Sequence, residues 1–275
     1  MRLQVTLTVP EAKRIIAKAI YSRSDVKKAL KEGKILLKGG TTTSAIAELL
    51  VGIKLRIGGR ISPRGTMNTL RKVDKAHCIL IQGGEYSNID ESITEVVSEM
   101  SKDDVIIASA NAIDVNGDAA MLAAAPLGYH PGKAIAGFMS QGSKVIIAVG
   151  LEKLIPGTIK DAVLSTGRVT IDKSFGAAVG LIPIYGEVFT EREALMVFAD
   201  VKVTVIASGG INGAEGSHTF VVEGAESEVN KIFTLISEVK GTTTSGDEQS
   251  LVECERGCPQ CKRHLACVYK LGMVE

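Results

Sequence analysis

The chain has 275 residues, 45% of them hydrophobic and 23% charged, enough to bury a full-sized core beside a smaller unit. A formal net charge of +1 excludes a general electrostatic pull toward nucleic acid or a membrane surface, so any anion binding must be local. The sequence has no run of ~20 apolar residues long enough to span a membrane, and its N-terminus lacks the apolar stretch of a signal peptide, which predicts a cytoplasmic protein. In chain order, residues 3–9 read as a strand, and residues 11–20 and 24–31 as helices. A strand over 35–38 runs into Gly39-Gly40-Thr41-Thr42-Thr43-Ser44, and helical spacing follows from Ala45. After a glycine-rich stretch over 58–66, strands at 78–82, 105–108 and 145–149 alternate with helices at 89–100 and 157–164. Such repeated βα units predict an α/β fold with an open, mainly parallel sheet over residues 1–165.

Beyond residue 166 the rhythm becomes β-α-β-β-α, with strands at 181–187, 201–207 and 218–223 and helices at 191–199 and 226–239. That order predicts a small ferredoxin-like α+β layer over 166–240. Residues 241–249 are polar and read as a linker, and residues 250–275 form a cysteine-rich tail.

The tail reads Cys254-x3-Cys258-Pro259-x-Cys261-x2-His264-x2-Cys267. Thiolates are soft ligands, and crowding of four in a chain with no export signal favours metal over disulfides. Zinc sites usually join two well-separated pairs, whereas dense cysteine runs are more typical of iron–sulfur ligation. Cys-x3-Cys-x2-Cys is also the spacing of radical S-adenosylmethionine enzymes, but here Cys267, or His264 in its place, closes the site. A [4Fe–4S] cluster is the favoured cofactor, with zinc as the alternative. Unrelated buried thiols are the plainer reading.

Glycines in the 39–44 loop let backbone approach a ligand, hydroxyls can donate, and a helix N-terminus favours negative charge. A plain tight turn would look the same, and no Gly-Lys-Ser/Thr follows to make it a Walker loop. The strand ending in Lys38-Gly39-Gly40-Thr41-Thr42-Thr43-Ser44 resembles the first ligand loop of the NagB/RpiA/CoA-transferase-like superfamily, including the effector domains of DeoR-type regulators. Residues 107–114, followed by Asn116-Gly117, resemble a second turn of that superfamily. Residues 149–156 are similar to a stretch of the lactate-utilisation LUD proteins.

The resemblance implies a sugar phosphate, nucleotide or CoA ester at the C-terminal edge of the sheet, beside Gly39, Gly40, Thr41, Thr42, Thr43 and Ser44. It also implies Asn111 and Lys153 close by, and a homo-oligomer. Arg60 and Arg64 join the candidates on chemistry alone, as forked donors suited to phosphate or carboxylate. Two departures stand out. Ser109-Ala110-Asn111-Ala112 lacks the carboxylates of the ribose-phosphate isomerases, and with them the general base of that chemistry. The roughly 34 residues before the loop contain no basic recognition helix, against DNA binding.

Among the remaining residues, Glu85 and Glu152 read as surface or supporting acids, His77 and His130 as loop or capping residues, and His218 has no nameable partner. Asp114 to Asp118 reads as a turn. The expectation is an enzyme acting on a phosphorylated or CoA-activated small molecule, with a cluster nearby. Its rival is a non-catalytic ligand-sensing protein with structural zinc, serving a redox protein partner.

Overall fold

Alternation of Leu3, Val5 and Leu7 with Arg2, Gln4 and Thr6 makes β1 (Arg2–Leu7) a strand with one face inward. The structure is a computed structural model that describes residues 1–68 and 73–274. Helix α1 (Val9–Ser22) starts two residues earlier than expected. Thr8 and Glu11 form a capping box, in which the Thr8 N–H donates to the Glu11 carboxylate at 2.9 Å. Pro10 falls in the first turn, where its missing N–H leaves no bond unmade. Next come α2 (Ser24–Glu32), β2 (Lys34–Lys38) and α3 (Thr41–Val51), then a hairpin of β3 (Gly59–Ser62) and β4 (Gly65–Asn68).

The segment expected as a helix from residue 89 divides differently. Gly83 and Gly84 both take positive φ, at 60° and 82°, as a two-residue hairpin turn demands. They fold β6 (Glu85–Asn88) back on β5 (Cys78–Gln82), where the Ile89 N–H donates to Cys78 O and Asp90 accepts from the N–H groups of His77 and Cys78, and α4 covers only Ile93–Ser98. The chain continues through β7 (Val105–Ala108), β8 (Ala112–Ile113), β9 (Ala119–Ala123), α5 (Tyr129–Lys133), α6 (Ile135–Ser140) and β10 (Lys144–Ala148). Helix α7 (Ile159–Leu164), β11 (Gly180–Ile184), β12 (Glu187–Phe189) and α8 (Glu191–Phe198) follow. After them come β13 (Val201–Gly209), β14 (Ser217–Gly224) and α9 (Glu226–Val239). Two short helices, α10 (Pro259–Arg263) and α11 (Val268–Leu271), lie in the tail.

The main sheet is mixed and mostly parallel, in the order β12-β10-β7-β2-β5-β6. The first four strands run parallel, and β5 and β6 extend the sheet in antiparallel fashion. Both faces are covered, which is why β2 is apolar on both sides at Ile35, Leu36 and Leu37.

The two expected units exchange strands across residue 166. Strand β12 belongs to the main sheet, β11 pairs with β9, and β1 pairs with β14 in a three-stranded antiparallel sheet, β1-β14-β13. The strand expected at 181–187 is thus absent from the small layer, and the N-terminal strand takes its place. One continuous core joins this layer to the main sheet. It runs from Ile35, Leu37 and Ile107 through Ile15, Ile16 and Ile20 of α1 to Phe220, Val222 and Ile232. A second core on the opposite face gathers Leu36, Ile106 and Ile147 with Val97 and Phe138.

Residues expected as a linker are pinned to the body. Ser245 is buried and bonds to Ser44 Oγ at 2.7 Å, and the Asp247 N–H donates to Leu55 O. Among the described residues no helix is long and apolar enough to cross a membrane.

Candidate functional site at the carboxyl edge of the sheet

Parallel strands β2, β7 and β10 end side by side, and a cavity of about 800 Å³ opens beyond them. Carboxyl ends of parallel strands are where open α/β sheets place ligands, because the turns there aim helix N-termini and loop backbone into one crevice. The wall includes Lys38 at the end of β2 with residues 39–42 after it, 109–111 after β7 and 149–150 with 152–153 after β10.

The glycine loop takes its shape from close approach. A Cβ on Gly39 would lie 2.3 Å from both His77 Nδ1 and His77 O, and one on Gly40 would lie 2.9 Å from Ser109 Cβ. Backbone therefore sits where a side chain cannot, and α3 starts against the cavity. Thr41 and Thr42 line it. Thr43 and Ser44 do not. Thr43 Oγ1 donates to Gly40 O at 3.0 Å, while Ser44 Oγ accepts from the Leu55 N–H at 2.9 Å. Both hydroxyls hold the loop in place.

Asn111 lines the wall with its Oδ1 accepting from the Leu122 N–H at 2.9 Å. Lys153 lines it too, held below its ordinary pKa by burial first and by Lys13 second. Arg60 reaches the wall while donating to the carbonyls of Ser250 and Val252, which ties the β3–β4 hairpin to the tail. Arg64 is elsewhere. Its guanidinium lies 4.0 Å from the Tyr269 ring centre, against the cysteine tail.

Several wall residues lie outside the set expected from sequence. Among the described residues, seven cationic side chains, Lys13, Lys38, Arg56, Arg60, Lys153, Arg168 and Arg263, face three acids, Asp90, Glu91 and Glu152. A chain with a formal net charge of only +1 thus concentrates positive charge in one crevice. Glu152 is no surface acid. Its side chain is 10% exposed and its Oε1 lies 3.0 Å from Lys13 Nζ. His77 also lines the cavity. Its Nδ1 lies 2.8 Å from Arg56 O, and its N–H donates to Asp90 Oδ1 at 2.9 Å. Burial, and then the charge of Lys38, lowers the His77 pKa to about 4.

Behind the wall, burial pushes Glu191 up to about 8 although it accepts from the Leu151 N–H at 3.0 Å. His218, partnerless from sequence, has its Nδ1 3.9 Å from Glu191 Oε1. His130 lies outside the wall, edge-on to the Tyr129 ring. Asp114 closes the expected turn by accepting from the N–H groups of Asn116 and Asp118.

The tail packs beside this cavity and is threaded through the 174–178 segment. The Ser174 N–H donates to Ala266 O and the Val268 N–H to Ser174 O. Cys254 and Cys261 pack against Met67 with Cys258 alongside, and the Sγ atoms of Cys254 and Cys258 are 3.4 Å apart. Cys254, Cys261, Cys267 and His264 share the lining of a space of only about 10 Å³. Burial, reinforced by Cys258, pushes Cys254 up to about 12. Cys258 is held low despite burial by the Cys261 N–H donated to its sulfur.

The donor types suit a metal, and His264 Nδ1 is buried with no hydrogen-bond partner. Even so, among the described residues no group of three or more Cys, His, Asp or Glu side chains is placed to hold a metal ion. The free volume is about that of one water. His264 lines both the small space and the large cavity, so tail and ligand crevice share a wall.

Lys38 and His77 carried faint sequence signals. The first is a charge ending an otherwise apolar strand, and the second is a histidine immediately before another. Comparison of the chain with protein-family models, curated proteins and solved structures yields no match, so its functional reading rests on this site.

Proposed function

We propose that this chain binds and acts on a phosphorylated or CoA-activated small molecule at the carboxyl edge of its main sheet, and that its tail carries a [4Fe–4S] cluster. The observation that carries the reading is the crevice itself, where three parallel strand ends, the start of an eleven-residue helix and an excess of cations converge on about 800 Å³. Helix N-terminus, hydroxyls and Lys/Arg side chains are the elements that recognise phosphate. A frame of the NagB/RpiA kind accords with a ligand loop between β2 and α3. In the tail, Cys254, Cys258, Cys261 and Cys267 would hold the cluster, which would supply structure or electron transfer beside the bound molecule.

Equilibrium binding of sugar phosphates, nucleotides and CoA esters tests the ligand half. At least one class should bind, and Lys153→Met should weaken it about tenfold, equivalent to about 1.4 kcal/mol. If no phosphorylated compound binds, the reading is wrong. Anaerobic purification with iron, sulfide and zinc analysis tests the tail.

A second reading, a non-catalytic ligand-sensing protein with structural zinc and a redox protein partner, draws support from the small space among the thiols. It suits a single ion better than a multi-atom cluster. Zinc without iron, with ligand binding but no turnover, would favour it.

A further inference from the structure

Lys38 ends β2 on the face of Leu36, while Ile35 and Leu37 point into the opposite core. It is 6% exposed, and the residue belongs to the cavity lining. Four other cations of the wall are compensated. Lys13 lies 3.0 Å and Lys153 4.0 Å from Glu152, Arg56 lies 2.5 Å from Asp90, and Arg60 donates to two carbonyls. Among the described residues no carboxylate lies within ion-pair distance of Lys38. Its ionisable neighbour across the strand pair is the Cys78 thiol, pushed up to about 11 by burial and so uncharged near neutrality. Burial therefore lowers the Lys38 pKa, favouring the free amine.

His77 supplies the complementary group. A carbonyl oxygen only accepts, so the contact with Arg56 O assigns the proton to Nδ1 and leaves the lone pair on Nε2. A desolvated amine and a neutral imidazole on one wall of an anion crevice are the components of nucleophilic catalysis at a carbonyl.

We propose that Lys38 forms an imine with the aldehyde or ketone carbon of a phosphorylated carbonyl compound whose phosphate rests at the start of α3. This rests on the phosphate-binding reading above and narrows its substrate class. The Nζ lone pair forms the C–N bond as the carbonyl π pair moves to oxygen. His77 Nε2 takes the proton that leaves Nζ and returns it to that oxygen. The resulting carbinolamine hydroxyl leaves as water on receiving the second Nζ proton, relayed in the same way by His77 Nε2, while the nitrogen lone pair forms the C=N bond on Lys38. No oxidant or reductant is consumed. The phosphate already has Thr41, Thr42, the helix start and Lys153 to meet it, which leaves the unpaired amine for the carbonyl.

The test is to incubate the full chain with glyceraldehyde 3-phosphate or dihydroxyacetone phosphate plus cyanoborohydride, which reduces an iminium to a stable secondary amine, and then to map peptides by mass. One adduct per chain on the Lys38 peptide is expected, lost in Lys38→Met and reduced at least tenfold by excess inorganic phosphate. Label spread over exposed lysines and undiminished in Lys38→Met overturns the proposal. Should that variant not fold, the wild-type peptide map decides alone, since Lys38 is either labelled or not. Binding of the same probes without reductant is measured in parallel. Binding with no adduct at Lys38 defeats the imine and spares the anion site, whereas absence of binding defeats both.

Discussion

The cavity at the sheet edge and the cysteine tail are neighbours that share His264, yet their physical states are opposite. The cavity is open, preformed by parallel strand ends, and carries more positive charge than its own acids balance. The tail is closed around almost no volume, and its Cys254 thiol is held protonated. One region is shaped in advance for an anion. The other reaches a coordinating state only if its thiols lose their protons, which metal binding itself drives.

The largest effect that separates the two belongs to the tail. Cys254→Ser combined with Cys267→Ser should take metal content from near stoichiometric to background. It should leave the far-ultraviolet circular dichroism of the body intact, because neither main core contains any of the four tail thiols. Elemental analysis beside a thermal melt reads both outcomes. Collapse of the whole fold would mean that the tail is not the separate satellite its contacts describe.

Next in size is Glu191, behind the cavity. Burial raises its folded pKa from an ordinary 4.5 to about 8, so the folded chain keeps a proton that the unfolded chain releases. Stability from this group is complete below about pH 4.5 and falls as pH rises through about 8. Glu191→Gln keeps the acceptor for the Leu151 N–H and removes the titration. The variant should match the wild type near pH 4.5 and exceed it by about 2 kcal/mol or more at pH 9. Denaturant titrations across that range check the slope, and parallel curves would mean that Glu191 is ionised in the fold.

A third test bears on the cavity's shape. Gly39→Ala places a methyl group 2.3 Å from His77 Nδ1 and from His77 backbone oxygen, so a side-chain rotation cannot relieve the clash. A loss of about 1–3 kcal/mol in stability is expected, together with weaker phosphate binding. Unchanged affinity would uncouple the loop from the ligand.

How far the sequence carried these regions differs in the same way. Apolar β2, the glycine loop and the start of α3 form a local pattern, and it was legible because strand, turn and helix signals lie within eighteen residues. Lys13 and Arg168 meet that loop only through tertiary packing, so nothing in their own neighbourhood marked them, and His77 carried no more than its place before a strand. Strand β1 was legible as a strand. Its pairing with β14, more than two hundred residues away, was not, because period-two alternation gives a face and no partner. Thr43 and Ser44 look like ligand donors in one dimension. Only the fold reveals that Gly40, Leu55 and Ser245 already occupy them.

The smallest effect settles which region owns Arg64. Composition placed it with Arg60 in a glycine-rich loop as an anion donor, but its guanidinium stacks on Tyr269 and lines the space beside the cysteines. Tyr269 is half-buried, and stacking of a cation on an aromatic face contributes from about 0.5 kcal/mol at an exposed site to about 2 kcal/mol when desolvated. Arg64→Ala should therefore loosen the tail, read as faster proteolysis near residues 254–267, and leave phosphate affinity at the sheet edge unchanged. Arg60→Ala should loosen the tail and also weaken phosphate binding, since Arg60 lines the cavity and bonds the carbonyls of Ser250 and Val252. Equal loss of phosphate binding in the two variants would return Arg64 to the crevice and erase the division between the regions.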